Sequence, residues 1–247
     1  MKEMAIVITN LTKRFEDVTA VDDLSLVIQR GELFGLLGPN GAGKTTTIKV
    51  LCGLLEPTSG SAMVGGYDIQ KERAKVKELI GVCPQDTAVY PYLTGRENVE
   101  LFGNLHAMPK QRLKENTSSL LEKMSLLQDA NRRLSKYSGG MRRRINLIMA
   151  LVHDPELAFL DEPTVAMDPQ SRHAVWDFIR ELKKQGKTVV LTTHYMEEAE
   201  ELCDRVGIID HGKLIALGGP KELMEKYEEK NLEDVFIQLT GRRIRED

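Results

Sequence analysis

Apolar residues along the chain fall into two periods. Residues 24–28 alternate apolar and polar, the two-residue period of a half-buried strand. Leu33–Leu37 (LFGLL), Ile80–Cys83 (IGVC), 157–160 (LAFL), 189–192 (VVLT) and 206–209 (VGII) are instead near-continuous apolar runs, as strands covered on both faces would be. Between them the period changes. Ile145, Ile148, Met149 and Val152 recur at i, i+3, i+4 and i+7, and so do Val175, Phe178, Ile179 and Leu182, which predicts helices with one apolar stripe. Strands alternating with helices predict an α/β fold built on a mostly parallel sheet.

Two stretches break the alternation. Residues 57–69 (PTSGSAMVGGYDI) are turn-rich β sequence and predict an antiparallel β edge. From about 94 to 152 no strand pattern occurs; helices follow one another, with breakers at Pro109 and at Ser138-Gly139-Gly140. The expected organisation is one α/β unit over 1–225, with its core at about 1–90 and 153–225 and an inserted helical subdomain at about 91–152. A charged tail over 226–247 carries one amphipathic set, Leu232, Val235, Phe236 and Leu239, before the ending GRRIRED. That set either contacts a second copy or packs back on its own domain, and packing back is the commoner fate of such stripes.

The bulk numbers narrow the classes. A chain of 247 residues can bury a substantial core. Acids outnumber bases, 37 to 34, for a net charge of −3, which disfavours a generally basic nucleic-acid binder. Cys52, Cys83 and Cys203 are widely spaced and odd in number, so a disulfide framework is not expected and a reducing cytosol is the plain reading. No signal-peptide h-region opens the chain, and no window approaches the roughly 18 apolar residues of a membrane span.

Chemistry concentrates at strand ends. GPNGAGKT, residues 38–45, follows LFGLL and opens a helix, so it fits the phosphate-cradling P-loop, G-x-x-x-x-G-K-[ST], in its proper context. Gly38, Asn40, Gly41, Ala42 and Gly43 let backbone N–H groups converge on phosphate oxygens. Lys44 is placed for the β- and γ-phosphates, Thr45 for Mg²⁺, and Thr46 continues the helix start. LAFLDEPT places Asp161 at a strand exit, where an acid can organise Mg²⁺ and its waters. Glu162 is next to it, in place to act as general base on water. His194, after LTT, and Gln85, in GVCPQD, are a candidate γ-phosphate contact and a candidate metal ligand. Taken singly, an acidic turn, a lone histidine and a loop amide are as often structural, and they gain weight from the P-loop.

YSGGMRRR, residues 137–144, is a second anion device: Ser138 reads as a helix N-cap, and Gly139 and Gly140 leave backbone N–H groups bare at the positive helix end. Arg142, Arg143 and Arg144 point about 100° apart on a helix, so they form no groove-reading patch. Pairing with nearby acids is the expected role for most of them.

GPNGAGKT, Gln85, YSGGM, LAFLDEPT, VAMD and His194 occur in the order and spacing of an ATP-binding-cassette (ABC) ATPase, and the resemblance covers nearly the whole chain. YSGGM with arginines and a tail like LEDVF…LTGR resemble the daunorubicin-resistance type of drug, antibiotic and ion exporter. The resemblance implies ATP and Mg²⁺ as ligands, ATP hydrolysis to ADP and phosphate, and two cassettes head to tail when ATP is bound, a homodimer being expected. Each ATP would lie between the P-loop of one cassette and Ser138, Gly139, Gly140 and Met141 of the other. It further implies Thr45 and Gln85 on Mg²⁺, Asp161 on it through water, Glu162 as base and His194 as switch. Phe15 would stack on adenine, Val21 would line the same site, and Asp168 would sit in the loop linking the two active sites. Polytopic membrane permease subunits would dock near residues 86–98, placing the protein in the cytoplasm, peripheral on the inner face of the cell membrane. Three departures stand out: Phe15 for the more usual Tyr, Met141 for Gln, and VAMDP for GLDP. If the residue at 166 is left-handed, Ala there costs ~1–2 kcal/mol. The alternatives are a soluble single-cassette assembly or regulatory factor, and a P-loop small-molecule kinase, which would leave SGG unexplained.

Overall fold

The structure is a computed structural model and describes residues 3–241. The ending after Gly241, with Arg242, therefore lies outside the described residues.

The chain begins with two long antiparallel strands, β1 (Met4–Phe15) and β2 (Val18–Gln29), and then β3 (Leu33–Leu37), which leads into α1 (Lys44–Leu51). β4 (Ser59–Val64) and β5 (Tyr67–Asp68) follow, then α2 (Arg73–Leu79) and β6 (Ile80–Cys83). Next come α3 (Gly95–Leu105), α4 (Lys110–Lys123), a 3₁₀ turn at Leu134–Lys136 and α5 (Gly139–Leu151). The chain returns through β7 (Leu157–Asp161), α6 (Pro169–Lys184), β8 (Thr188–Thr193), α7 (Met196–Leu202), β9 (Arg205–Asp210) and β10 (Lys213–Gly218). α8 (Pro220–Tyr227) and α9 (Leu232–Thr240) close it.

Ten strands make two sheets among the described residues. One is four-stranded and antiparallel, in the order β2-β1-β4-β5; the other is six-stranded, β10-β9-β3-β8-β7-β6, parallel except for β10. The turn-rich segment 57–69 thus belongs to a separate sheet packed over the parallel one, and β10 is the antiparallel edge of the parallel sheet itself.

The continuous apolar runs follow from a sheet covered on both sides. Along β3, Leu33 and Leu37 face one core, with the helices, and Phe34 and Leu36 face the other, under the antiparallel sheet. Ala158 and Leu160 of β7 take the first side, and Leu157 and Phe159 the second. The period of two is still obeyed; both phases are apolar because both faces are buried. In β2, by contrast, Leu24, Leu26 and Ile28 are buried while Ser25 and Val27 are exposed, the half-buried alternation read from residues 24–28.

Helix ends are set by local chemistry. α3 opens with a capping box: Thr94 Oγ1 accepts from Glu97 N–H and Glu97 Oε2 from Thr94 N–H. α6 has Asp168 as N-cap and Pro169 at its first position, and buries Val175, Trp176, Phe178, Ile179 and Leu182. Leu232, Val235 and Phe236 of α9 are fully buried against α7 and α8, so this stripe packs on its own domain.

His153, at the end of α5, stacks on His106 with ring centroids 3.6 Å apart, and its Nε2 lies 3.0 Å from Ile80 O. Burial, helped by the neighbouring His106, pushes its pKa down from 6.5 to about 4. A base whose folded pKa is lowered binds fewer protons in the folded state, so its share of stability is lost as pH falls from about 6.5 towards about 4. Chemical unfolding of H153Q is therefore expected to show a smaller loss of stability between pH 7 and pH 5 than the parent.

Candidate functional site

Four neighbouring parallel strands end at one edge of the sheet. β3, β8, β7 and β6 pair in register, with Leu37 beside Thr193, Asp161 beside Thr192 and Cys83 beside Leu160. Parallel pairing puts their C-terminal loops side by side, so four segments distant in sequence meet at one crevice. Asn40, Gly41, Ala42, Gly43, Lys44, Thr45 and Thr46 line it together with Gln85, Glu162 and Ala20.

The P-loop holds its shape through its glycines and Lys44. Gly43, the N-cap of α1, has φ +106°, and a Cβ there would come within 2.1 Å of Ala20 O, so only glycine lets the loop pass under β2. Lys44 is 5% exposed; its Nζ donates to Gly38 O at 2.7 Å and Pro39 O at 3.1 Å. Burial lowers the Lys44 pKa, against the pull of Glu162 and Asp161. The ammonium is thus held inside the loop and faces the cleft.

Glu162 is the meeting point. It is 5% exposed and left-handed, φ +49°. Its Oε1 lies 3.7 Å from Lys44 Nζ, and its Oε2 accepts from Gln85 Nε2 at 3.3 Å. His194 Nδ1 lies 3.2 Å from Oε1. Burial pushes the Glu162 carboxyl up, yet His194, Lys44 and Arg143 together hold it below the ordinary value. Asp161 sits behind, 3% exposed, accepting from Thr192 Oγ1 at 2.5 Å; the same hydroxyl accepts from Glu162 N–H at 3.0 Å. The arrangement is a phosphate cradle with a lysine, an ionised carboxylate aimed at the same space, and a second acid beside it.

The second anion device stands apart from this cleft. Ser138 caps α5, its Oγ accepting from Met141 N–H at 3.2 Å. Nothing lies within 4 Å of a Cβ placed on Gly139, and Ser171 Oγ is the nearest group, at 3.6 Å, to one on Gly140. Asp168 is exposed at the start of α6 and accepts from Ser171 N–H at 2.9 Å. The Ser138 loop and the Asp168 loop are therefore neighbours that face outward. One chain carries a complete P-loop cleft and a separate open helix N-terminus.

Comparison with known proteins settles the family. Residues 21–165 match the family model for the ABC transporter. The linearmycin resistance ATP-binding protein of Bacillus subtilis is 45% identical over 96% of this chain and 75% of its own length. The doxorubicin resistance ATP-binding protein of Mycobacterium tuberculosis is 43% identical over 99% of this chain and 73% of its own. A dimeric ATP-binding cassette in a post-hydrolysis state, bound to ADP and Pi, superposes with a TM-score of 0.79 at 27% identity, over 87% of this chain and 98% of that one.

The chain belongs to the ABC transporter family. It is an ATP-binding subunit that hydrolyses ATP, on the α/β cassette fold.

Two further candidates lie outside the lining of the P-loop cleft. Val21 is 1% exposed and packed in the core under the antiparallel sheet; Ala20, its neighbour, lines the cleft. Successive residues of a strand face opposite ways, so the two cannot both reach the nucleotide side. Phe15, at the end of β1, is 41% exposed and does not line the P-loop cleft; Lys13 Nζ lies 4.8 Å from its ring centroid. Among the described residues none of the three arginines forms an ion pair with an acid. Arg142 donates to Tyr137 O and Ser135 O, Arg144 to Met124 O, and Arg143 to five backbone carbonyls.

Sequence reasoning passed over Thr192, which joins Asp161 to Glu162, and Glu198, a fully buried carboxyl on α7. Glu198 Oε1 accepts from Thr164 Oγ1 at 2.7 Å and Trp176 Nε1 at 2.9 Å, and burial raises its pKa. Burial disfavours the charged form of this carboxyl, and an amide of the same shape keeps the acceptor oxygen without the charge. Glu198→Gln is expected to hold or raise the thermal midpoint at neutral pH. Glu198→Ala is expected to cost about 1–3 kcal/mol by leaving Trp176 and Thr164 unpaired, as denaturant unfolding would read.

Ala166 is left-handed, φ +57°, in the loop between Glu162 and Asp168. The condition under which it costs stability is met. Ala166→Gly is expected to stabilise the cassette by about 1 kcal/mol in denaturant unfolding.

Proposed function

We propose that this cassette powers export through separate membrane subunits, and that it does so as a head-to-tail pair in which the Ser138 loop of one copy closes on the ATP held by the P-loop of the other. The observation that carries the reading is the separation of the two anion devices. The N-terminus of α5, with Gly139 uncovered and Ser171 beside Gly140, is not part of the lining of its own chain's cleft. A helix start of this kind suits a phosphate, and in this reading the phosphate is that of the partner's ATP. Two copies placed head to tail let each loop meet the other's cleft, a closed two-fold pairing. Relatives named for antibiotic resistance support export and favour this reading over a soluble assembly factor.

In the proposed mechanism the backbone N–H groups of residues 41–46 and Lys44 hold the phosphates. Glu162 takes a proton from the attacking water. It is suited to this because Lys44, His194 and Arg143 keep it ionised at neutral pH, and His194 can follow the charge on the γ-phosphate. The donor set fits Mg²⁺: the Thr45 hydroxyl and the Gln85 amide line the cleft, the Gln85 nitrogen is already on Glu162, so its oxygen is the atom left for a cation, and Asp161 stands behind. Hard oxygen donors with room for water and phosphate oxygens are what this ion takes. Bound there, it would neutralise charge developing on the phosphates. Among the described residues no helix is long and apolar enough to cross a membrane. Peripheral placement on the inner face is therefore proposed through docking near residues 86–98, where Tyr90 and Tyr92 are 53% and 82% exposed.

Glu162→Gln is expected to lower kcat by ~10²–10⁴ and to stay dimeric in ATP by light scattering. Normal turnover would refute Glu162 as base. Lys44→Ala is expected to lose ATP affinity in calorimetry, and unchanged binding would refute the P-loop assignment.

A further inference from the structure

Arg143 is 4% exposed and forms no ion pair among the described residues. Its five N–H groups meet five carbonyl oxygens. Nη1 donates to Pro84 O and Gln85 O, both at 2.6 Å. Nη2 donates to Asp161 O at 2.5 Å and Glu162 O at 2.8 Å, and Nε to Pro163 O at 3.2 Å. A buried guanidinium without a carboxylate is tolerated only when its donors are all satisfied. Here they are, and every acceptor belongs to one of two segments: the loop after β6, which carries Gln85, and the end of β7 with the loop after it, which carries Glu162.

The side chain itself starts from the fifth residue of α5, within two turns of Ser138. Asn146, three residues on and so on the same face, grips the first loop again: its Nδ2 donates to Pro84 O at 3.2 Å and its Oδ1 accepts from Ala88 N–H at 3.3 Å. The planar fork of an arginine can hold five acceptors in fixed directions; a lysine has three rotating donors and cannot span both loops.

We propose that Arg143 is a positioning residue that locks the loops bearing Gln85 and Glu162 to the start of α5, so that the cleft built by this chain and the Ser138 loop it offers to a partner move as one body. The inference rests on the head-to-tail reading above. It makes the occupancy of one site known to the other through a single side chain that touches neither nucleotide. The link is a hydrogen-bond network that joins two distinct sites, one of the physical routes by which coupling energy is carried.

The test uses the full chain and two variants, Arg143→Lys, which keeps the charge, and Arg143→Gln, which removes it. Calorimetry with ADP reads the P-loop alone. Steady-state hydrolysis against ATP concentration reads kcat, KM and cooperativity. Hydrogen exchange in residues 138–146, on adding ATP in the Glu162→Gln background, reads the Ser138 loop. The expected result in Arg143→Lys is ADP affinity close to the parent, kcat down about 2- to 30-fold, cooperativity reduced, and the ATP-dependent protection of 138–146 lost. Parent-like kcat and protection in Arg143→Lys would overturn the inference. So would a joint fall of ADP affinity, kcat and thermal midpoint in both variants, the mark of a plain structural staple. A parent protein that hydrolyses ATP without cooperativity or ATP-dependent dimers would instead overturn the head-to-tail reading, and this inference with it.

Discussion

A carboxylate that is almost wholly buried cannot stand alone, because an uncompensated charge in such a place costs several kcal/mol. Glu162 is that group, and much of the cassette follows from what it needs. Lys44 reaches it from the P-loop, Gln85 from the loop after β6, His194 from the end of β8, and Arg143 adds its charge from α5. These partners lie up to 118 residues away in sequence, and only a parallel sheet brings their strand ends to one edge. The left-handed backbone at Glu162 is the local strain that this convergence tolerates, φ +49° being unfavourable for any residue with a Cβ.

The same constraint bears on the proposed pairing, because it keeps the P-loop cleft and the start of α5 apart. The P-loop cleft faces the β3 and β7 ends, while the start of α5, which offers Ser138, Gly139 and Gly140, lies in the helical segment between β6 and β7. Both ends of α5 cannot serve one site. Its body is fixed to the sheet by Arg143 and Asn146, and this leaves its N-terminus open to the outside. A division of labour between two chains is the arrangement that uses both devices.

Much of this was legible in the residues. Continuous apolar runs such as LFGLL and LAFL gave the buried strands because both faces of the parallel sheet are covered, and GPNGAGKT, Asp161 and Glu162 are found at the strand exits their spacing implied. β1 was not read, since its burial pattern is irregular and its register shifts several times against β2. Val21 and Ala20 alternate along β2, and of the two it is Ala20 that lines the P-loop cleft while Val21 is buried. The pairing with acids expected for most of Arg142, Arg143 and Arg144 rests on charge, which is visible in sequence, whereas the backbone carbonyls that Arg143 satisfies are not. Glu198 and Thr192 are likewise ordinary letters whose partners lie on other elements.

The most direct test of the divided site is to mix two inactive chains. Lys44→Ala removes the P-loop lysine. Gly139→Asp adds a negative charge at an uncovered helix start, where an acid suits the helix but repels phosphate. Each variant alone should hydrolyse ATP poorly. In the mixture, half-and-half dimers contain one intact P-loop facing one intact Ser138 loop, and hydrolysis above that of either variant alone is the predicted result. A mixture no more active than its parts would contradict the account that the two halves of the site come from different chains.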